Sequence, residues 1–255
     1  MKNHIKHLLF LLQSLVLALF FYSLSRLVFF LYTRNLFPQI YEDGLMALFW
    51  QGVRFDLSAF AYLNLFFILM LVFPSRKRET KIYQKVLRYL FVSFNGLALF
   101  LNLSDIVNVQ FTGKRMTADI LSFLLQGEDA NHVAVDFIKD SWPIIIIFIL
   151  LVYTMSKMFK YIQSHQIFLH RSKITWKTYP ISILVLGLTV LAMRGGTQLR
   201  PIKNIHATTF GKGKYVTLIL NSPFSIMSSL GETVLKEKNY FRPETAKSYF
   251  LSLIH

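Results

Sequence analysis

Long apolar blocks alternate with short charged stretches along most of the chain. A helix needs roughly 20 mostly apolar residues to cross the hydrocarbon layer, within a tolerated range of about 17–25. Five blocks approach this length with few charges inside them. They cover about residues 8–32, 57–73, 89–109, 142–159 and 178–193. The pattern therefore predicts an all-α membrane protein with a five-helix transmembrane bundle in residues 1–194, and it allows the second helix to extend backwards through residues 46–53.

The stretches between the blocks predict further, shorter elements. Residues 41–53 have the composition of an interfacial helix, and residues 117–125 and 133–138 are typical of short helices near the membrane surface. After the fifth block the apolar content falls and glycine and proline become frequent. We therefore expect residues 195–255 to form an extracellular C-terminal linker, in which the stretch 221–223 forms a turn that starts a helix.

Basic residues are concentrated in alternate loops. The N-terminus, the loop after the second helix and the stretch between the fourth and fifth helices together contain 13 Lys and Arg residues and one acid, Glu79. The opposite loops, residues 33–45 and 106–141, contain four basic and seven acidic residues. Because basic short loops stay on the cytoplasmic side, this bias predicts a cytoplasmic N-terminus and, after five crossings, an external C-terminus.

The formal net charge of +15 has the same origin. The basic residues lie beside apolar blocks rather than along one helix face, so we expect no nucleic acid partner. The chain has no cysteine, which excludes disulfides and thiolate metal sites.

Four ionisable residues within or beside the apolar blocks are candidates for function: Arg26, Arg54, Asp56 and Asp105. Each such residue costs about 2.5–3.5 kcal/mol on insertion scales and is a functional hypothesis by default. All four lie in the outer half of their helices in the predicted topology, which favours a shared cavity facing outwards. The alternative is local: Arg26 extends to the headgroups, while Arg54 and Asp56 cap or pair at a helix start.

Lys114 and Arg115 follow the third predicted helix on the outer side, where cations are disfavoured. They either bind a lipid phosphate at the border of the same cavity or pair with Asp119, Glu128 or Asp129. Elsewhere the histidines lack metalloprotease spacing, and no phosphate-binding loop or serine triad can be defended. The sequence therefore predicts no catalytic residue, no metal ligand and no cofactor in this chain.

An ordered set of short strings resembles the membrane half of the lipoteichoic acid synthase family, phosphoglycerol transferases of the sulfatase and alkaline phosphatase superfamily. Each string is weak alone, and the order and spacing of the set carry the resemblance over nearly the whole chain. The strings are Arg54-Phe55-Asp56-Leu57, Asp105 with Phe111-Thr112-Gly113-Lys114-Arg115 and Asp119, Gly195-Gly196-Thr197-Gln198-Leu199-Arg200-Pro201, and Leu220-Asn221-Ser222-Pro223-Phe224-Ser225.

The resemblance implies a five-helix membrane domain followed by a large extracellular α/β domain. In the family that domain carries a Thr nucleophile and a divalent metal, here expected to be Mn, Mg or Zn, held by Asp, Glu and His. It transfers glycerol phosphate from phosphatidylglycerol, or another phospho-headgroup in relatives. None of these catalytic residues maps onto this sequence, so we expect a fragment or a truncated gene product. By resemblance, the linker to the catalytic domain contains Gly195, Gly196, Arg200, Asn221 and Pro223.

The expected role is to anchor and position such a domain at the outer face of a bacterial plasma membrane and to present a lipid headgroup to it. The expected partners are membrane lipids, phosphatidylglycerol among them, and the chain's own missing domain. The chain alone is not expected to be an enzyme. Two alternatives stay open: a stand-alone, non-catalytic membrane partner, and a small transporter subunit. The apolar middles of helices two, four and five argue against the transporter.

Overall fold

A computed structural model describes residues 2–38, 40, 44–120, 141–166, 176, 178–210 and 213–230, and these are helical without strands. Six of the described helices form the bundle, and three further short helices follow it. The bundle helices are α1 (Lys2–Thr33), α2 (Leu45–Leu63), α3 (Leu65–Val72), α4 (Lys81–Thr112), α5 (Trp142–Gln166) and α6 (Thr178–Arg194). The short helices are α7 (Ala207–Phe210), α8 (Val216–Ile219) and α9 (Ser222–Ser229).

Three described helices, α1, α4 and α5, are long and apolar enough to cross a membrane. The pair α2 and α3 is bent by 70° and counts as a fourth span if the pair is one crossing. The fifth predicted span corresponds to α6. This helix is apolar but has 17 residues, so it is shorter than the helices that qualify as membrane spans. The described chain is therefore an all-helical protein with three to four candidate membrane spans, rather than five equal ones.

The helix boundaries differ from the predicted ones mainly where charges begin. Helix α4 starts at Lys81, eight residues before the predicted residue 89, because long basic side chains are tolerated on a helix that leaves the hydrocarbon layer. Helix α2 starts at Leu45, so residues 45–53 continue into the second span and are not a separate interfacial helix. Of the two external helices, residues 118–120 are helical and residues 121–140 lie outside the described part.

The bend between α2 and α3 lies at Asn64, which sequence reasoning did not single out. Asn64 and Asn95 exchange amide hydrogen bonds of 2.8 and 3.2 Å, and the Tyr22 hydroxyl donates to Asn95 Oδ1 at 2.7 Å. All three side chains are buried. These bonds join α1, the bend and α4 inside the bundle, where lipid offers no competing partner.

Contacts between the helix ends show which termini lie together. Arg78 donates to Leu71 O at 2.8 Å and lies 3.4 Å from His4 Nδ1, and Gln163 donates to Gln84 O at 2.9 Å. The start of α1, the end of α3, the start of α4 and the end of α5 thus share one end of the bundle, here called the basic end. The opposite end, where α1 and α4 finish and α2 starts, is called the cluster end.

Apolar packing fills the space between the two ends. Phe91 of α4 stacks on Phe159 of α5 with ring centroids 4.2 Å apart, and Phe10 and Phe67 pack at their edges. This aromatic group joins α1, α3, α4 and α5, so the long helices form one core.

Parts of the described chain after α6 are packed against the bundle. Tyr215, Leu218, Ile219 and Phe224 are buried, and α8 and α9 contact α2 and α4. The apolar residues of α8 and α9 cover the cluster end, so this part of the expected linker is docked on the bundle, and its role as a linker stays a prediction. Residues 231–255 lie outside the described part.

Candidate functional site

Arg26 and Asp56 form a buried ion pair between α1 and α2. Arg26 Nη1 donates to Asp56 Oδ2 and Arg26 Nη2 donates to Asp56 Oδ1, both at 2.7 Å, in a bidentate arrangement. Arg26 Nη2 also contacts two carbonyls, Gly52 O at 3.3 Å and Ile219 O at 3.2 Å. The guanidinium thus links three elements: α1, α2 and α8.

A glycine makes this approach possible. A Cβ atom at position 52 would lie 2.3 Å from Arg26 Cζ, which is shorter than any real contact. Gly52 precedes Asp56 by one helical turn, so the two residues face α1 together. The sequence pattern Gly-x3-Asp therefore lets a guanidinium lie flat on α2.

Asp105 and Arg115 form a second buried pair. Arg115 Nη1 lies 3.4 Å from Asp105 Oδ2, and the backbone N–H of Met116 donates to both oxygens of Asp105, at 3.0 and 3.1 Å. The Arg115 guanidinium also covers the ring of Phe29, 3.7 Å from its centroid, and its Nε donates to Thr217 O at 2.7 Å. These contacts fold the chain after α4 back onto α1 and α4.

The start of α9 lies between the two pairs and joins them. Asn221 Nδ2 donates to Asp56 Oδ1 at 2.6 Å, while the Ser222 hydroxyl donates to Asp105 Oδ2 at 2.7 Å. The Ser222 N–H donates to Asn102 Oδ1 at 3.0 Å. The carbonyl contacts of Arg26 and Arg115 with residues 219 and 217 complete the buried polar cluster.

The buried polar cluster is electrically balanced, since two guanidinium groups face two carboxylates. Burial lowers the pKa of Arg115 to about 10, and the carboxylate of Asp105 acts in the opposite direction. Arg115 is therefore charged at neutral pH, and each guanidinium group is paired with a carboxylate within the cluster. This balance is typical of a structural clamp, and it offers no surplus cation to an anionic headgroup.

The expected shared cavity is thus only partly correct. Arg26, Asp56, Asp105 and Arg115 do come together, but the start of α9 fills the space between them. Arg115 pairs with Asp105, which neither of the two sequence interpretations named. Lys114 is exposed.

Arg54 lies on another face of α2 and points towards the end of α6. Its Nε donates to Gly195 O at 2.6 Å and its Nη2 donates to Gln198 Oε1 at 2.7 Å. Ser58, one turn further along α2, donates to Met193 O at 2.7 Å. A cation and a hydroxyl of α2 thus satisfy carbonyls at the C-terminus of α6, where positive charge is favoured by the helix dipole.

The glycine pair of the predicted linker ends α6. The N–H groups of Gly195 and Gly196 donate to Ala192 O and Leu191 O, both at 3.0 Å, which is a Schellman motif. Gly195 has a φ of 73°, the left-handed conformation that this motif requires. The pair therefore reverses the chain at a fixed angle.

The other linker residues have different environments. Arg200 is exposed, while Asn221 and Pro223 are buried. The predicted helix start is confirmed: the Asn221 side chain accepts from the Phe224 N–H at 2.7 Å, and proline occupies the first turn of α9. The burial of Asn221 was not predicted, because a capping residue is normally found at the surface.

Four residues of the cluster were not among the candidates from the sequence analysis: Gly52, Asn102, Asn108 and Ser222. Asn102 precedes Asp105 by three residues and so lies on the same face of α4, a spacing that was available in the sequence. Ser222 had no such signal, since its partner is 117 residues away in the chain.

A separate groove of about 590 Å³ runs between α1 and α6. Its lining is apolar along most of its length and ends at Arg54, Gly195, Gly196 and Thr197. The described residues contain no group of three or more His, Cys, Asp or Glu residues that could hold a metal ion.

Comparison with known proteins identified no relative. No family model matches the sequence, and no curated protein or solved structure matches it significantly.

Proposed function

We propose that this chain is a membrane platform that anchors an extracytoplasmic phosphoglycerol transferase of the lipoteichoic acid synthase type and presents a membrane lipid to it. The observation that carries the proposal is the docking of residues 213–229 onto the bundle through two buried ion pairs. A flexible tether needs no such contacts. A platform does, because the direction in which the chain leaves the membrane must be fixed.

The energetics of the clamp agree with a positioning role. Buried ion pairs gain little net stability over apolar side chains, while they specify one arrangement of the groups they join. Here the specified arrangement is the placement of α8 and α9 over the ends of α1, α2 and α4. Confinement of an enzyme and its lipid substrate to one surface raises their effective concentration.

The proposal places the cluster end at the outer face of a bacterial plasma membrane and the basic end in the cytoplasm. The support is the charge bias between alternate loops, now joined by the contacts that gather Arg78, Lys81 and Lys85 at one end of the bundle. In the proposed protein, the Thr nucleophile and its Mn, Mg or Zn ion belong to the extracellular domain that this chain anchors.

Two alternatives predict different features. A stand-alone partner protein would need no catalytic domain downstream. A small transporter subunit would use the bend at Asn64 as a substrate site, since broken helices with polar groups often form such sites. Here the amides of Asn64 and Asn95 bind each other and the Tyr22 hydroxyl inside the core, which favours a structural tie.

The experiment starts with the complete coding sequence that contains this chain and continues with its product. We expect an α/β domain with a Thr nucleophile and clustered Asp, Glu and His. Membranes containing that product should release diacylglycerol from labelled phosphatidylglycerol when Mn, Mg or Zn is supplied, and membranes containing residues 1–255 alone should not. Metal-dependent release by residues 1–255, or no release by the complete product, would contradict the proposal.

A further inference from the structure

The groove beside Arg54 is formed by helices that do not close on each other. Helices α1 and α6 both pack against α2 and leave a gap between them. Leucines of α1 between residues 8 and 15 form one wall, and residues 185–192 of α6 form the other. Leu57 and Phe60 of α2 and Ile68 of α3 form the floor.

The groove opens sideways. Leu12 on one wall and Leu188 on the other are each 55% exposed. Both belong to apolar helices, and Leu12 lies in the longest uncharged block of α1. Side chains of this kind face lipid in a membrane bundle, so an occupant would enter from the bilayer.

One end of the groove is polar and positively charged. Arg54 is held there by its bonds to Gly195 O and Gln198 Oε1, next to the backbone of Gly196 and Thr197. Among the described residues that line the groove, Arg54 is the charged one and the rest are neutral. From Val185 to Gly195 the α6 wall covers about 15 Å at about 1.5 Å per residue, which matches the length of a dozen acyl carbons.

We propose that this groove binds an anionic phospholipid, with one acyl chain between α1 and α6 and the phosphate beside Arg54. The size and lining agree with a ligand site, because such sites enclose roughly 300–1,000 Å³, are mostly apolar and have few polar groups. Charge complementarity selects an anionic headgroup, since a guanidinium binds phosphate through charge-assisted hydrogen bonds.

The groove is where the proposed platform would hold its lipid. That biological role rests on the proposed function. The binding itself requires no catalytic domain. It differs from the sequence interpretation, which assigned the headgroup to Lys114, Arg115 and the buried charges as well as to Arg54.

The test uses phosphatidylglycerol and phosphatidylcholine probes that carry a photoreactive group near the end of one acyl chain. The purified protein is placed in phosphatidylcholine nanodiscs with a trace of one probe, and crosslinked peptides are measured by mass spectrometry. We expect the phosphatidylglycerol probe to label residues 8–15 and 185–192 about fivefold more than the phosphatidylcholine probe, the effect of one cation near an anionic headgroup.

Three variants locate the site. Arg54→Gln should bring the labelling ratio of the two probes to about one, while Lys114→Gln, which removes an exposed cation outside the groove, should leave the ratio unchanged. Ala192→Phe fills the groove and should reduce labelling by both probes. Ile183→Trp adds a large side chain on the exposed face of α6 turned away from the groove and should not reduce it.

Two results would overturn the inference. One is equal labelling by the two probes in the unaltered protein, which needs no variant to fold. The other is unchanged labelling in Ala192→Phe. Because no turnover is measured, failure of lipid binding would leave the anchoring role intact, and failure of turnover by the complete gene product would leave lipid binding intact.

Discussion

At the scale of single residues, the cluster end depends on two arginines that lie flat on small or apolar neighbours. Arg26 is seated on Gly52, and Arg115 covers the ring of Phe29. Both guanidinium groups lie with their carboxylates inside the protein, where removal of one partner leaves an uncompensated charge and costs about 3–5 kcal/mol.

Gly52→Ala tests the seating of Arg26 directly. The new Cβ would overlap the guanidinium, so we expect a loss of about 1–3 kcal/mol in the free energy of unfolding, as for other overpacked sites. The measurement is unfolding in detergent micelles, followed by the fluorescence of the tryptophans.

Gly187→Ala is the matched control, because a Cβ at position 187 of α6 meets no atom within 4 Å. This variant should be neutral or gain about 0.5–1 kcal/mol from helix propensity. Equal losses of unfolding free energy in the two variants would show that the effect is not specific to position 52. The close contact between Arg26 and Gly52 would then not explain the loss.

At the scale of elements, α9 is a short helix whose first residues do two jobs. Asn221 caps α9 through its side-chain oxygen and donates to Asp56 through its amide nitrogen. Proline in the first turn fixes the backbone at the point where the chain enters the helix. The same residue thus starts the helix and attaches it to the bundle.

Asn221→Ala should lower the free energy of unfolding by about 2.5–4 kcal/mol, since it removes an N-cap of about 1 kcal/mol and a hydrogen bond to a buried carboxylate of about 1.5–3 kcal/mol. Asn204→Ala is the control from the same segment, because Asn204 makes a single long bond of 3.3 Å to Ser225 O and its Oδ1 is buried without a partner. That change should stay within about 0.5 kcal/mol. Similar losses of unfolding free energy in both variants would mean that the cap and the bond to Asp56 give Asn221 no greater effect than Asn204.

The bundle elements show what a sequence can and cannot predict. Apolar content identified the long helices α1, α4 and α5, because a membrane span is a local property of about 20 residues. It missed the 70° bend at Asn64, which rests on hydrogen bonds to Tyr22 and Asn95 from distant parts of the chain. It also predicted neither α8 nor the burial of α9, since these helices are too short to give a hydropathy signal.

At the scale of the whole molecule, the ionisable candidates were found because buried charge is expensive, but their pairing was not. The prediction from their similar depth in the membrane grouped Arg26 and Asp56 with Asp105, and the structure brings them together. It could not separate Arg54, which is only two residues from Asp56 yet faces α6, because helix rotation is set by packing. The charged groups therefore divide into a closed cluster and a groove mouth.

The topology can be tested on the same chain, because the absence of cysteine leaves a clean background for labelling. Lys203 lies in the segment after α6, and Lys160 lies near the basic end. In intact bacterial cells, Lys203→Cys should react with a membrane-impermeant maleimide, while Lys160→Cys should react only after permeabilisation. The reverse pattern would invert the assignment, and labelling of both in intact cells would rule it out.

The most direct test of the central claim, that the chain after α6 is fixed to the bundle, is a disulfide between Ala118→Cys and Ser229→Cys. The Ser229 hydroxyl lies 2.8 Å from the Ala118 N–H, so the two side chains start close enough for a disulfide. Under mild oxidation in membranes, most molecules should crosslink, and the pair Ala118→Cys with Lys160→Cys, whose second residue lies near the basic end, should not. A double variant whose thiols stay free and label fully, or whose crosslinking does not exceed the control pair, would contradict the docked arrangement.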